Sequence, residues 1–169
     1  MTSAFDPQMF LDAQQAETNE KRPNLPVENP DDPNGFYTGV IGEVKMAAGT
    51  IGKGDRIGQA WMQAVVPIKL QVPAALQALG IPAELTLTDR PMIDLTPGSV
   101  FVAGQIQGGI DNAIGKNNAQ RKYREATHLN VKGEPFAWRQ TQGKVIKVKI
   151  THEEYQGSIV EKIAGVFPS

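Results

Sequence analysis

Side chains able to do covalent or acid-base chemistry are sparse in this chain. There is no cysteine, so no disulfide, thiolate metal site or sulfur nucleophile can form. The two histidines, His128 and His152, stand in unrelated contexts, and no pair has the spacing that puts two metal ligands on one helix face. His152-Glu153-Glu154 could supply an acid or a base, but it sits where a polar hairpin turn is expected. Gly49 to Asp55 reads Gly-Thr-Ile-Gly-Lys-Gly-Asp and lacks both the spacing and the hydroxyl residue after Lys that a phosphate-binding loop needs. No serine elbow or dinucleotide fingerprint is present. The expectation is a protein that is not an enzyme and uses no metal or cofactor.

Charge and aromatic residues suggest a different chemistry. Residues 1–33 hold seven acids against Lys21 and Arg22, whereas residues 116–152 hold nine Lys or Arg against Glu125 and Glu134. An acidic arm beside a basic stretch raises the question of nucleic acid. Proteins that grip single strands pair a cationic groove with aromatic rings on which bases stack. The candidates are Lys53, Arg56, Trp61, Lys69, Lys116, Arg121, Arg124, Lys144, Lys147, Lys149 and Tyr155. Ordinary packing and solubility compete for each of them. Trp61 and Trp138 are of a type more often partly buried than used as a platform, and lysines also keep exposed strands unpaired.

The elements that must position these residues are mostly strands. With 169 residues, 40% of them hydrophobic, the chain can build one domain, and 17 Gly and 12 Pro favour turns and short strands. Ile146, Val148 and Ile150 alternate with Val145, Lys147, Lys149 and Thr151, a half-buried strand that leads through a five-residue loop, Glu153–Gly157, into a second Ile- and Val-rich arm. Ala60 to Val72 alternates most cleanly, with Pro67 on its outer set marking an edge or a bulge. Phe36 to Met46 reads as a first strand with Phe36, Thr38, Val40, Gly42, Val44 and Met46 inward and Tyr37 outward. Ala47 to Gly58 reads as a Gly-rich loop. A short helix after Pro73, a strand from Leu85 to Leu95 broken at Pro91, and a helix capped at Asn117 or Asn118 complete the pattern.

This order of three strands, a helix and two strands is that of the OB-fold. The expected architecture is therefore mainly β: an OB-like five-stranded Greek-key barrel spanning 35–169, with one helix between strands three and four. Residues 1–34, acidic and carrying Pro23, Pro26, Pro30 and Pro33 near their end, are expected to be an extended or disordered arm. No apolar run is long enough to span a bilayer, and no secretory signal is recognisable, which suggests the cytoplasm.

Several phrases occur together: Phe10-Leu11-Asp12 before a Pro-rich arm, Asn34-Gly35-Phe36-Tyr37-Thr38-Gly39, Arg90-Pro91-Met92 and Gly115-Lys116-Asn117-Asn118. Tyr123-Arg124-Glu125-Ala126, Gly143-Lys144-Val145 and His152-Glu153-Glu154-Tyr155-Gln156-Gly157 follow. With them the chain resembles a family of small bacteriophage proteins, largely of unassigned function, whose relatives are linked to phage DNA replication and recombination. Some of these are single-stranded-DNA-binding proteins with an OB-like barrel. The resemblance implies a strand-protecting role in the cytoplasm of a bacterial host, with Lys116, Arg124, Lys144 and Tyr155 on matching positions. Single-stranded DNA and phage replication or recombination proteins are the partners it suggests, and exposed strand edges leave a homo-oligomer open. The competing reading is a virion structural or adaptor protein that docks through its arm and barrel.

Overall fold

The computed structural model describes residues 4–169. Its organising element is β3 (Ala60–Gln71), twelve residues long and paired along both edges. One edge receives β1 (Tyr37–Ile41) and then β2 (Lys45–Thr50), two segments of a single path bent between them. The other edge receives β4 (Glu84–Asp89) and β5 (Met92–Ile93), which keep one register across the interruption at Arg90-Pro91. β1 pairs in turn with β8 (Val145–Tyr155), and β8 with β9 (Ser158–Pro168). All of these ladders are antiparallel. β6 (Val100–Val102) and β7 (Gln105–Gln107) form a separate two-stranded ribbon. Helices are few: α1 (Ala74–Gln77), α2 (Asn118–Ala126) and two short 3-10 turns at Pro7–Leu11 and Trp138–Thr141.

β9 comes alongside β4, but among the described residues no ladder joins them. The protein is thus a mainly β fold built on an open antiparallel sheet, where the element order led us to expect closure into a barrel. The inward faces of β3 and β8 lie where alternation puts them: Ala64, Val66, Ile68 and Leu70 on one, Ile146, Val148 and Ile150 on the other, all buried. Tyr123 and Ala126 of α2 close the core from outside the sheet.

Four expectations need correction. The first strand is inverted: Tyr37 and Ile41 point inward, and Phe36 and Val40 do not. Gly39 decides this, because β1 lies so close to β3 that a Cβ at Gly39 would come within 2.6 Å of the Ile68 side chain. The inward set of Tyr, Gly and Ile is too polar and too small to read as a core face. Secondly, Ala47–Thr50 belong to β2, so the loop before β3 is shorter than Ala47–Gly58. Thirdly, Pro67 marks an irregularity rather than an edge: it lies in a central strand, opposite the gap where β1 gives way to β2 and the pairing slips by one residue. Its carbonyl accepts from Gly42 N, so its missing N–H faces the bend between β1 and β2, where no ladder bond is required. Finally, the β8–β9 loop is not five residues. Gln156 and Gly157 both have positive φ, 50° and 79°, and Tyr155 pairs with Ser158, as in a two-residue hairpin.

The arm also differs from a free tail, although residues 1–3 lie outside the described residues. Leu25 is fully buried in the core cluster. The Tyr37 hydroxyl donates to Pro26 O at 2.7 Å, and His152 Nε2 donates to Leu25 O at 2.7 Å. Asn24 Nδ2 donates to Ile159 O at 3.1 Å, and Arg22 pairs with Glu161. The stretch from Lys21 onward is therefore extended and packed against the sheet.

This docking has a pH signature. Burial, reinforced by the Glu28 carboxylate, pushes the Tyr37 hydroxyl up to about 12 from an ordinary value of 10.0. The unfolded chain then ionises first, so the contribution of Tyr37 to stability is whole below about pH 10 and is lost as pH rises through about 12. Tyr37→Phe should flatten that part of the alkaline stability profile, measured by urea unfolding between pH 9 and 12. At neutral pH it should cost about 0.5–1.5 kcal/mol for the lost hydrogen bond.

Candidate nucleic-acid interface

A cleft of about 450 Å³ opens at the end of the sheet where β2 turns into β3. Its walls are the loop after β2, the start of β3, β5, and the turns that follow β5. Trp61, Arg56, Lys116, Met92 and Asp94 all line it. Trp61 is on the outward face of β3, where Gly49 of β2 is its cross-strand partner. A Cβ at Gly49 would lie 2.8–2.9 Å from Nε1, Cε2 and Cζ2, so the indole rests directly on the glycine backbone. The ring is thereby held in position and is only partly exposed, with Met92, itself 50% exposed, also lining the cleft.

The opposite wall is held by a reciprocal polar clamp. Asn117 N donates to the Asp94 carboxylate at 2.6 Å, and Asp94 N donates to Asn117 Oδ1 at 2.8 Å. Asn117 Nδ2 donates to Asp111 O at 2.7 Å. Asn117 adopts φ of 54°, a left-handed conformation that asparagine tolerates better than most residues. This clamp pins the turn before α2 to the end of β5 and so puts Lys116 on the same cleft as Arg56. Sequence reading expected Asn117 only as a helix cap. Its side chain makes no capping bond and serves the clamp instead.

The eleven predicted residues fall into separate groups. Arg56, Trp61 and Lys116 share the cleft, and Lys53 is exposed on the same loop. Lys69 is on the outer face of β3 with Glu84 at 3.5 Å, an exposed pair of small energetic consequence. On α2, Arg121 lies 3.9 Å from Glu125. Arg124 is committed elsewhere: its Nε and Nη2 donate to Leu129 O, and its guanidinium stacks 4.8 Å from the Phe136 ring. It closes the helix end and is not free for a phosphate. Lys147 is likewise engaged, 3.2 Å from the Asp32 carboxylate and donating to Thr38 Oγ1 at 3.0 Å. The Phe36 N–H donated to Asp32, together with Lys147, holds that carboxyl below its usual range. Lys144 and Lys149 are exposed and, among the described residues, form no ion pair. Tyr155, 61% exposed, is at the hairpin tip at the far end of β8, away from the cleft.

Two aromatic contributions were not foreseen. Phe36 and Phe167 stack with centroids 4.7 Å apart and planes 5° off parallel. Phe167 is the cross-strand partner of Lys147, so this pair is next to the β8 lysines on the outer face. Alternation in the last strand, with Ile163 and Val166 inward, could have placed Phe167 outside, but the bulge opposite Lys149 and Ile150 breaks the period. Nothing in the sequence points to Met92.

Among the described residues no group of three His, Asp or Glu is arranged to hold a metal, and no helix is long and apolar enough to cross a membrane. No protein-family model matches the chain, and no curated protein matches its sequence.

Proposed function

We propose that this protein binds single-stranded DNA without catalysing a reaction on it, in the setting of phage DNA replication or recombination in a bacterial cytoplasm. The observation that carries the reading is the cleft itself, in which an indole fixed on Gly49 shares a 450 Å³ space with Arg56 and Lys116. A base stacks on Trp61 and against Met92, while Arg56, Lys116 and Lys53 neutralise the flanking phosphates. Such contacts read no base edge, so sequence preference is weak.

The barrel reading belongs with this proposal. β1 and β2 act as the first strand, β3 as the second, β4 and β5 as the third, and β8 and β9 as the fourth and fifth. α2 falls between the third and fourth, and β9 lies alongside β4 where an OB barrel closes. In that architecture the loop between the first two strands borders the strand-binding surface, which is where the cleft lies.

The test is fluorescence anisotropy of a labelled thymidine oligomer at two salt concentrations. Micromolar or tighter binding at low salt is expected, weakening as counterion release is suppressed. With about three phosphates neutralised, affinity should fall by a slope of about −2 on a log-log salt plot, given about −0.7 per phosphate for single strands. Absence of micromolar binding at low salt removes the proposal.

A further inference from the structure

The most exposed apolar cluster near the N-terminus is not part of the core. Phe5, Met9, Phe10 and Leu11 are 73%, 72%, 54% and 82% exposed. The segment is nevertheless shaped: Asp6 caps the Pro7–Leu11 turn by accepting from Gln8 N, and the Phe5 and Phe10 rings meet at 6.1 Å. Asp6 and Asp12 bracket it, Glu17 and Glu20 follow, and no base occurs before Lys21. Residues 12–20 are exposed throughout, and the chain is tied to β9 from Lys21 and Arg22 onward.

A surface of matching chemistry lies just before β8. Pro135, Phe136 and Ala137 form a shallow apolar groove with Arg139 on its rim, and Arg124 lies against the Phe136 ring. Residues 121–139 hold five bases against two acids. An apolar floor with a cationic rim complements an aromatic turn flanked by aspartates.

Chain length indicates whose groove is filled. Lys21 is anchored at Ile159, opposite Glu154, nine residues along β8 from Val145. At ~3.3 Å per residue that is about 30 Å along the strand, and the groove segment leads into that start through Thr141–Lys144, where Gly143 N donates to Ile41 O and Lys144 O accepts from Ile41 N. The ten residues from Lys21 back to Leu11 reach that far only when almost fully extended, and an ordinary coil of this length spans about 16–19 Å. A neighbour's groove imposes no such stretch. We infer that residues 5–12 dock into the Pro135–Gln140 groove of a second copy of this chain, with the exchange made reciprocally in a twofold dimer. This holds whether or not DNA is bound.

Complementation tests it. Sedimentation of the full chain at tens of micromolar should show a dimer. Phe10→Asp and Arg139→Glu, both at exposed positions, should each weaken self-association at least tenfold without changing the circular dichroism. A mixture of the two variants should associate more tightly than either alone, because one retains an intact groove and the other an intact anchor. A wild-type monomer at about 100 µM, a dimer indifferent to both changes, or a mixture no tighter than its components would overturn the inference. The first of these outcomes would assign the anchor to a different protein.

Discussion

Trp61→Ala is expected to weaken binding of a thymidine oligomer by roughly tenfold to a hundredfold, within the about 1–3 kcal/mol that one base-aromatic stack contributes. The domain should remain folded, because Trp61 points out of β3 and its removal uncovers Gly49 without opening the core. Trp138 is the control. It is 9% exposed, its Nε1 donates to Gln120 at 2.9 Å, and it packs against Tyr123 with centroids 5.3 Å apart. Trp138→Ala should therefore cost about 3–5 kcal/mol of stability and affect binding only through unfolding. Two tryptophans in one chain thus separate function from packing. Oligomer affinity and urea midpoints measured on both variants give the comparison. Equal affinity in wild type and Trp61→Ala would mean that the indole is not the platform.

Leu25→Ala should destabilise the domain by about 2–5 kcal/mol, the usual range for truncating a fully buried leucine. Such a loss is a large share of the stability of a small domain. It is also diagnostic, because a residue in a loose arm would cost almost nothing. Around Leu25 the chain is held by polar contacts to three separate elements: Tyr37 of β1, His152 of β8, and Ile159 and Glu161 of β9. Removal of residues 1–20, all exposed where described, should by contrast change the unfolding free energy, measured at micromolar concentration or below where the chain is monomeric, by less than about 0.5 kcal/mol. A Leu25→Ala midpoint indistinguishable from wild type would show that the arm does not fold with the sheet.

How much of this was legible in the sequence depended on how strongly one face of an element repeats. In β3 and β8 the inward residues are Ala, Val, Ile and Leu at every second position, and both strands were placed with the correct face inward. β1 failed because its inward set includes Gly39, whose lack of a side chain lets two strands approach, and Tyr37, whose hydroxyl is satisfied only by the arm. Both are tertiary facts, invisible to periodicity. The docking of the arm is unreadable for the same reason: one leucine among prolines and acids carries no pattern, yet it fills a place in the core. Within the candidate site, residue types were readable but commitments were not. Arg124 and Lys147 looked like free cations until Leu129, Phe136, Asp32 and Thr38 came into contact with them. The grouping of Arg56 with Lys116, sixty residues apart, depends on Asn117 clamping Asp94, and side-chain roles of that kind have no local signature.

The central claim is that a base lies against Trp61, and intrinsic fluorescence reports on it directly. Because Trp138 is buried and hydrogen-bonded, a bound thymidine oligomer should quench emission from Trp61 selectively. The expected result is a saturable quench in the wild type, with a midpoint matching the anisotropy titration and shifting to higher concentration with added salt. In Trp61→Phe the quench should disappear while weaker binding persists. Binding that leaves the wild-type emission unchanged, or an equal quench in Trp61→Phe, would contradict the claim and move the interface away from the cleft.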